Sequence, residues 1–98
     1  MSTIKLNVLE FFSKFELGQI VMTPGALEIN PLCIQSALKR YIQGDWGEVC
    51  PEDAETNEEA LKNGFRLLAS YKDDQDNTFW IITEADRSVT TILLPEEY

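Results

Sequence analysis

Three β-rich runs, Phe65 to Lys72, Thr78 to Glu84 and Ser88 to Leu94, crowd the last third of the chain. Only Asp73-Asp74-Gln75-Asp76-Asn77 and Ala85-Asp86-Arg87 separate them. Links this short join antiparallel neighbours, because a parallel crossover needs a dozen or more residues. A C-terminal three-stranded meander therefore constrains everything else. Leu67, Ala69 and Tyr71 share one face and Leu68 opposes them, Phe79 and Ile81 oppose Trp80 and Ile82, and Leu93 opposes Ile92 and Leu94. With apolar side chains on both faces, helices are expected to cover one face, and another chain or the N-terminal segment part of the other.

Upstream, Asn30 reads as a helix cap and Pro31 as a first helical residue. Ile34, Ala37, Leu38, Tyr41 and Ile42 then form one apolar stripe that ends before Gly44. Asp45 to Asp53 reads as a polar connector. Pro51 to Asn63 follows as a second helix, acidic in its early turns, with Gly64 just past its end and a thin apolar stripe of Ala54, Ala60 and Leu61. Gln19 to Thr23 predicts one short strand stopped by Pro24-Gly25, although Thr23-Pro24 equally suits the cap of a one-turn helix through Leu27. Apolar positions between Thr3 and Phe15 suggest a short amphipathic helix, so residues 1–14 read as an N-terminal helical extension. The fold class expected is α+β in a single domain, 1–98: a small antiparallel sheet, the meander plus the short N-terminal strand, packed against two or three helices. A sheet with two apolar faces also invites a homodimer.

Ninety-eight residues, 44% of them hydrophobic, are enough for one modest core. The net charge of -9 is unevenly placed: Met1 to Gly44 holds four basic and three acidic residues, Asp45 to Tyr98 four basic and fourteen acidic. Such a surface repels phosphate backbones and anionic lipid, which argues against direct nucleic-acid or membrane binding and for a cation or a basic or nucleic-acid-binding protein as partner. Nothing approaches the roughly 20 apolar residues of a membrane span. Cys33 and Cys50 lack metal or redox spacing and no export signal precedes them, so a cytoplasmic location is expected.

The chain contains no histidine, which removes the usual general base, most metal sites and the Ser-His and Cys-His nucleophile pairs. No motif calls for a cofactor or a metal. The chemistry-bearing candidates are Asp45, Trp46 and Glu48 in Gly44-Asp45-Trp46-Gly47-Glu48, together with Arg66, Glu84, Asp86 and Arg87. Trp46 reads either as a core residue after a helix cap or as an exposed anchor ringed by acid. Glu84, Asp86 and Arg87 read either as turn residues, with Arg87 paired to Glu84 or to a helix C-terminus, or as a pocket with Asp45 and Arg66 suited to acid/base chemistry or to holding a divalent cation. Counting from Asp73 puts Glu84 at the twelfth position of a calcium loop, but Gln75 and Thr78 stand where that loop needs Asp or Asn and then Gly, so Asp73 to Asn77 reads as a hairpin tip. The seven carboxylates from Asp45 to Glu59, uninterrupted by any base, are a solvated helix face or, more sharply, a mimic of a phosphate backbone.

Several segments taken together resemble a family of small uncharacterised bacterial proteins found on plasmids and integrated mobile elements, often labelled plasmid-related. They are Phe15 to Leu27 around Thr23-Pro24-Gly25-Ala26, Gly44-Asp45-Trp46-Gly47, Asn57-x-x-Ala60-Leu61, and Trp80 to Ser88 running on to Leu94-Pro95-Glu96-Glu97-Tyr98. The resemblance implies a genomic setting rather than a reaction, and it carries over no catalytic residue. The family pattern often has an Arg-His pair ahead of Gly-Asp-Trp-Gly where this chain has Arg40-Tyr41, so no histidine-dependent role transfers. The leading expectation is a non-enzymatic acidic interaction protein of mobile DNA, an inhibitor of a host defence or DNA-processing protein. The alternatives are a small hydrolase or ligand-binding enzyme built on Glu84, Asp86, Arg87 and Asp45, and a structural accessory protein.

Overall fold

The computed structural model describes residues 13–98. The helix expected from Thr3 lies outside the described residues except for its last three positions, Ser13 to Phe15, which are not helical. The meander forms as expected: β2 (Leu67–Lys72) pairs antiparallel with β3 (Thr78–Thr83), and β3 with β4 (Val89–Leu93). The short strand also forms, as β1 (Gln19–Met22), but it runs parallel to β4, giving a mixed sheet of order β1-β4-β3-β2. The direction follows from the route: both helices and two strands intervene before β4 reaches the β1 side of the sheet, so no hairpin dictates how the two meet.

Two helices lie on one face. In α1 (Pro31–Ile42) the Asn30 side chain accepts a hydrogen bond from the Leu32 amide, and Ile34, Ala37, Tyr41 and Ile42 are buried. In α2 (Pro51–Asn63) only Asn57 and Ala60 are fully buried, and the helix stops at Gly64 in a left-handed conformation. The core beneath them alternates along the strands: Leu67, Ala69, Tyr71, Phe79, Ile81 and Ile92. Threonines continue that face at Thr83 and Thr90, both fully buried. The Thr90 hydroxyl donates to the Leu17 carbonyl at 2.7 Å, so it must accept from Thr83 at 2.8 Å, and Thr83 from the Tyr41 hydroxyl at 2.7 Å. Burial pushes the Tyr41 phenol well above its ordinary value, which keeps that donor protonated. No buried side-chain polar atom among the described residues lacks a partner.

The two sheet edges are treated differently. On β2 the buried Asn57 side chain acts as a surrogate strand, its Nδ2 donating to the Leu68 carbonyl at 2.8 Å and its Oδ1 accepting the Leu68 amide at 3.2 Å. Two residues on, Ser70 exchanges backbone hydrogen bonds with Trp46 and Glu48. The edge is thereby closed to further pairing. On the opposite face of the sheet Trp80 meets the ring of Tyr98 at 5.8 Å, so the chain's own C-terminus covers part of the face for which an N-terminal segment or another chain was expected. No helix among the described residues is long and apolar enough to cross a membrane.

Thr23-Pro24-Gly25 leads into a single 3-10 turn, Ala26–Glu28, so the strand and the one-turn helix expected there both exist in succession. A second such turn, Pro95–Glu97, returns to it. Glu97 accepts hydrogen bonds from the Thr23 hydroxyl and from the Gly25 and Leu94 amides, and these donors hold its carboxyl below its usual value of 4.5. Because its folded pKa lies below the unfolded one, the stability it contributes is complete above about pH 4.5 and disappears as pH falls through the lower folded value. Glu97→Gln is therefore expected to lower the melting temperature at pH 7, with the gap from the unmodified chain closing as the pH is taken well below 4. Thermal melts of both chains across that range check it, and a gap independent of pH would refute the clasp.

Candidate functional site

The acidic connector and the β3–β4 link do not meet. Gly47 pairs with Ser70, and Glu84 lies against Arg66, four residues earlier on the β2 line. At about 3.3 Å per residue this puts roughly 13 Å of strand between the two attachment points. Asp45 is exposed, and Arg40 engages it at 2.8 and 3.2 Å while the Gly47 amide donates to it at 3.1 Å. The Arg40 hydrogen bond, seconded by Gly47, holds the Asp45 carboxyl below the ordinary carboxylate range. Glu48 is exposed and contributes its backbone amide to Ser70.

Trp46 is only 5% exposed, with its ring against Phe15 and Tyr41 and its indole N–H donating to Glu58 at 2.9 Å. This corrects the reading of an exposed anchor. Gly44 and Gly47, both at positive φ, turn the chain sharply on either side of the indole, and Glu58 satisfies its one polar atom.

Arg87 sits at positive φ in the turn, and its guanidinium is taken up by backbone. Nη2 donates to the Ala60 carbonyl at the end of α2, and Nη1 to the carbonyls of Phe65, Glu84 and Ala85. Positive charge at a helix C-terminus is favourable, and four carbonyl contacts leave this arginine committed to the fold. Asp86 accepts the Ser88 amide and Asp73 the amides of Asn77 and Gln75, each closing its own turn; the Ser88 hydroxyl and then its amide depress the Asp86 carboxyl, and the Asn77 and Gln75 amides that of Asp73. Arg66 pairs loosely with Glu84 at 3.8 Å and donates to the Tyr98 hydroxyl at 2.7 Å.

Two open clefts accompany this surface. The larger, of about 420 Å³, lies between the Ala26–Glu28 turn, the β2–β3 hairpin and Pro95, and includes none of the seven candidate residues. The smaller, of about 260 Å³, includes only Arg66 of them, beside Asp53, Thr56, Asn57 and Leu68. Neither of these two clefts includes Asp45, Glu84, Asp86 or Arg87. Several of the polar and aromatic segments instead clasp one another: Thr23 and Gly25 hold Glu97, Phe15 stacks on Trp46, and Ala60 holds Arg87.

The remaining concentrated chemistry is the outward side of α2. Glu52, Glu55 and Glu59 are exposed and form no ion pair among the described residues, whereas Asp53, four residues before Asn57, lines the smaller cleft. Helix electrostatics accounts for Glu52 and Asp53, which lie in the first turn, where the dipole favours anions. It does not account for Glu55 and Glu59, like charges at i and i+4 that cost the helix a few tenths of a kcal/mol. No family model matches this chain, and neither a curated protein nor a solved structure matches it.

Proposed function

We propose that this protein is a non-enzymatic interaction module that presents the outward side of α2 to a basic, nucleic-acid-binding protein. In the mobile-DNA setting implied by the family resemblance, such a module would inhibit a host defence or DNA-processing protein. The observation that supports the reading is the row of carboxylates Glu52, Glu55 and Glu59, exposed and without ion pairs among the described residues, on a helix whose inner side is anchored by Asn57. Glu52 and Glu59 are two helical turns apart, about 10 Å along the axis, so their charges point the same way and add at a partner's surface. A reducing cytoplasm suits the free thiols of Cys33 and exposed Cys50.

Pull-down from a bacterial lysate at low salt is expected to recover a basic protein that salt releases, because exposed charge pairs are screened within about 8 Å at physiological ionic strength. The triple variant Glu52→Gln, Glu55→Gln, Glu59→Gln is expected to slow association with that protein by roughly tenfold or more at low salt, with no loss of thermal stability. Recovery of nothing, or only of partners insensitive to salt, refutes the proposal.

A further inference from the structure

The contrast between the two sheet edges points to a partner independent of the acidic helix. We propose that the outer edge of β1 is where two copies of this chain pair, antiparallel across a two-fold axis through Val21. The Gln19 amide donates to the Ser88 carbonyl and the Thr23 amide to Ile92, so in this parallel register Gln19, Val21 and Thr23 turn their backbone groups toward β4. Ile20 and Met22 therefore turn theirs outward, where no backbone among the described residues meets them. Gln19-Ile20-Val21-Met22 contains no proline and no charge, the two commonest devices that blunt an edge, whereas β2 is closed by Asn57 and by the connector around Gly47.

The outward groups are self-complementary. With Val21 opposite Val21 of the other copy, Ile20 and Met22 form reciprocal hydrogen-bonded pairs, four bonds in all, and the 37%-exposed Val21 side chains meet at the close, non-hydrogen-bonded position. Electrostatics permits a second copy even though the chain carries a charge of -9. α2 packs on β2, at the far edge of the sheet. Pairing through β1 makes an eight-stranded sheet in which the two β2 strands are about 34 Å apart, at roughly 4.8 Å per strand spacing, some four times the screening length.

The test uses the full chain. Light scattering is expected to show a mass rising with concentration from 11.2 kDa toward twice that value. Amide exchange at Ile20 and Met22 is expected to slow in step, by about tenfold once nine-tenths of the chains are paired. Val21→Lys, which sets like charges directly opposite, should hold the mass at that of one chain. Val21→Cys in a chain also carrying Cys33→Ser and Cys50→Ser should form an intermolecular disulfide, since the close position falls within disulfide reach. A monomeric mass at every concentration overturns the proposal. So does a dimer that survives Val21→Lys, or protection of Ile20 and Met22 that does not depend on concentration, which would mean that the edge is covered within one chain.

Discussion

Gly47→Ala is expected to destabilise the domain by on the order of 4 kcal/mol, a large part of the 5–15 kcal/mol that holds a small domain together. The backbone there sits at φ 75°, and a Cβ would lie 2.0 Å from the Ser70 carbonyl oxygen and 2.7 Å from the Tyr71 ring. A left-handed alanine costs about 1–2 kcal/mol before any contact is counted. The overlap with Ser70 is with backbone, so no side-chain rotation relieves it. The connector must lift off β2, and the bonds from the Glu48 amide to Ser70 at 2.6 Å and from the Ser70 amide to Trp46 at 3.3 Å go with it, at about 1 kcal/mol each. Gly64 supplies the control. It has nearly the same φ, 74°, but a Cβ there meets nothing within 4 Å. Gly64→Ala is expected to cost only the conformational part, about 1–2 kcal/mol. Urea unfolding of both variants checks the pair, and equal losses would show that Gly47 is needed for its conformation alone.

Asn57→Ala is expected to cost about 2 kcal/mol, because it removes both hydrogen bonds that hold the backbone of Leu68, at about 1 kcal/mol each. Asn57 is 3% exposed, and its two hydrogen bonds are the attachment between the middle of α2 and the sheet edge. Asn57→Asp separates the donor from the acceptor. An aspartate keeps the oxygen that receives the Leu68 amide but faces the Leu68 carbonyl with negative charge, whereas the protonated acid can donate to it. That carboxyl's folded pKa is raised above its unfolded value, so the variant's deficit is largest at neutral pH and shrinks as the pH falls through the raised value. Denaturant melts at pH 7 and pH 4.5 test this: the deficit of Asn57→Asp should narrow on acidification while that of Asn57→Ala stays. A deficit for Asn57→Asp that is the same at both values would mean that the Leu68 carbonyl does not depend on this donor.

Each feature that sequence reasoning placed correctly draws on nearby residues. The β2–β3 and β3–β4 hairpins follow from short polar links, the start of α1 from Asn30-Pro31, and the end of α2 from Gly64. The turn roles of Asp73 and Asp86 were legible for the same reason, since each bonds an amide two residues on. The candidate site was harder. Arg87 was legible as a helix-terminus partner because arginine in a turn has few other backbone targets, but that its helix is α2 depends on a contact with Ala60 across 27 positions. Asn57 and Glu97 stood in the segments quoted for the resemblance but gave no sign of their roles: a polar residue on an acidic helix and a carboxylate near the C-terminus look solvated until their partners are known.

The acidic sequence from Asp45 onward thus determined by itself that any electrostatic face would lie in the second half of the chain, and local patterning determined the meander and both helices. The tertiary structure alone decided that Trp46 turns inward to Glu58, that Asp45 and Glu84 lie apart, and that β1 runs parallel to β4. Alternation with a period of two is the same whichever way a neighbouring strand runs, and the pairing of Gln19 with Val89 spans most of the chain. Choices of that kind depend on which surfaces remain unburied after the local elements have formed, and only the packed molecule contains that information.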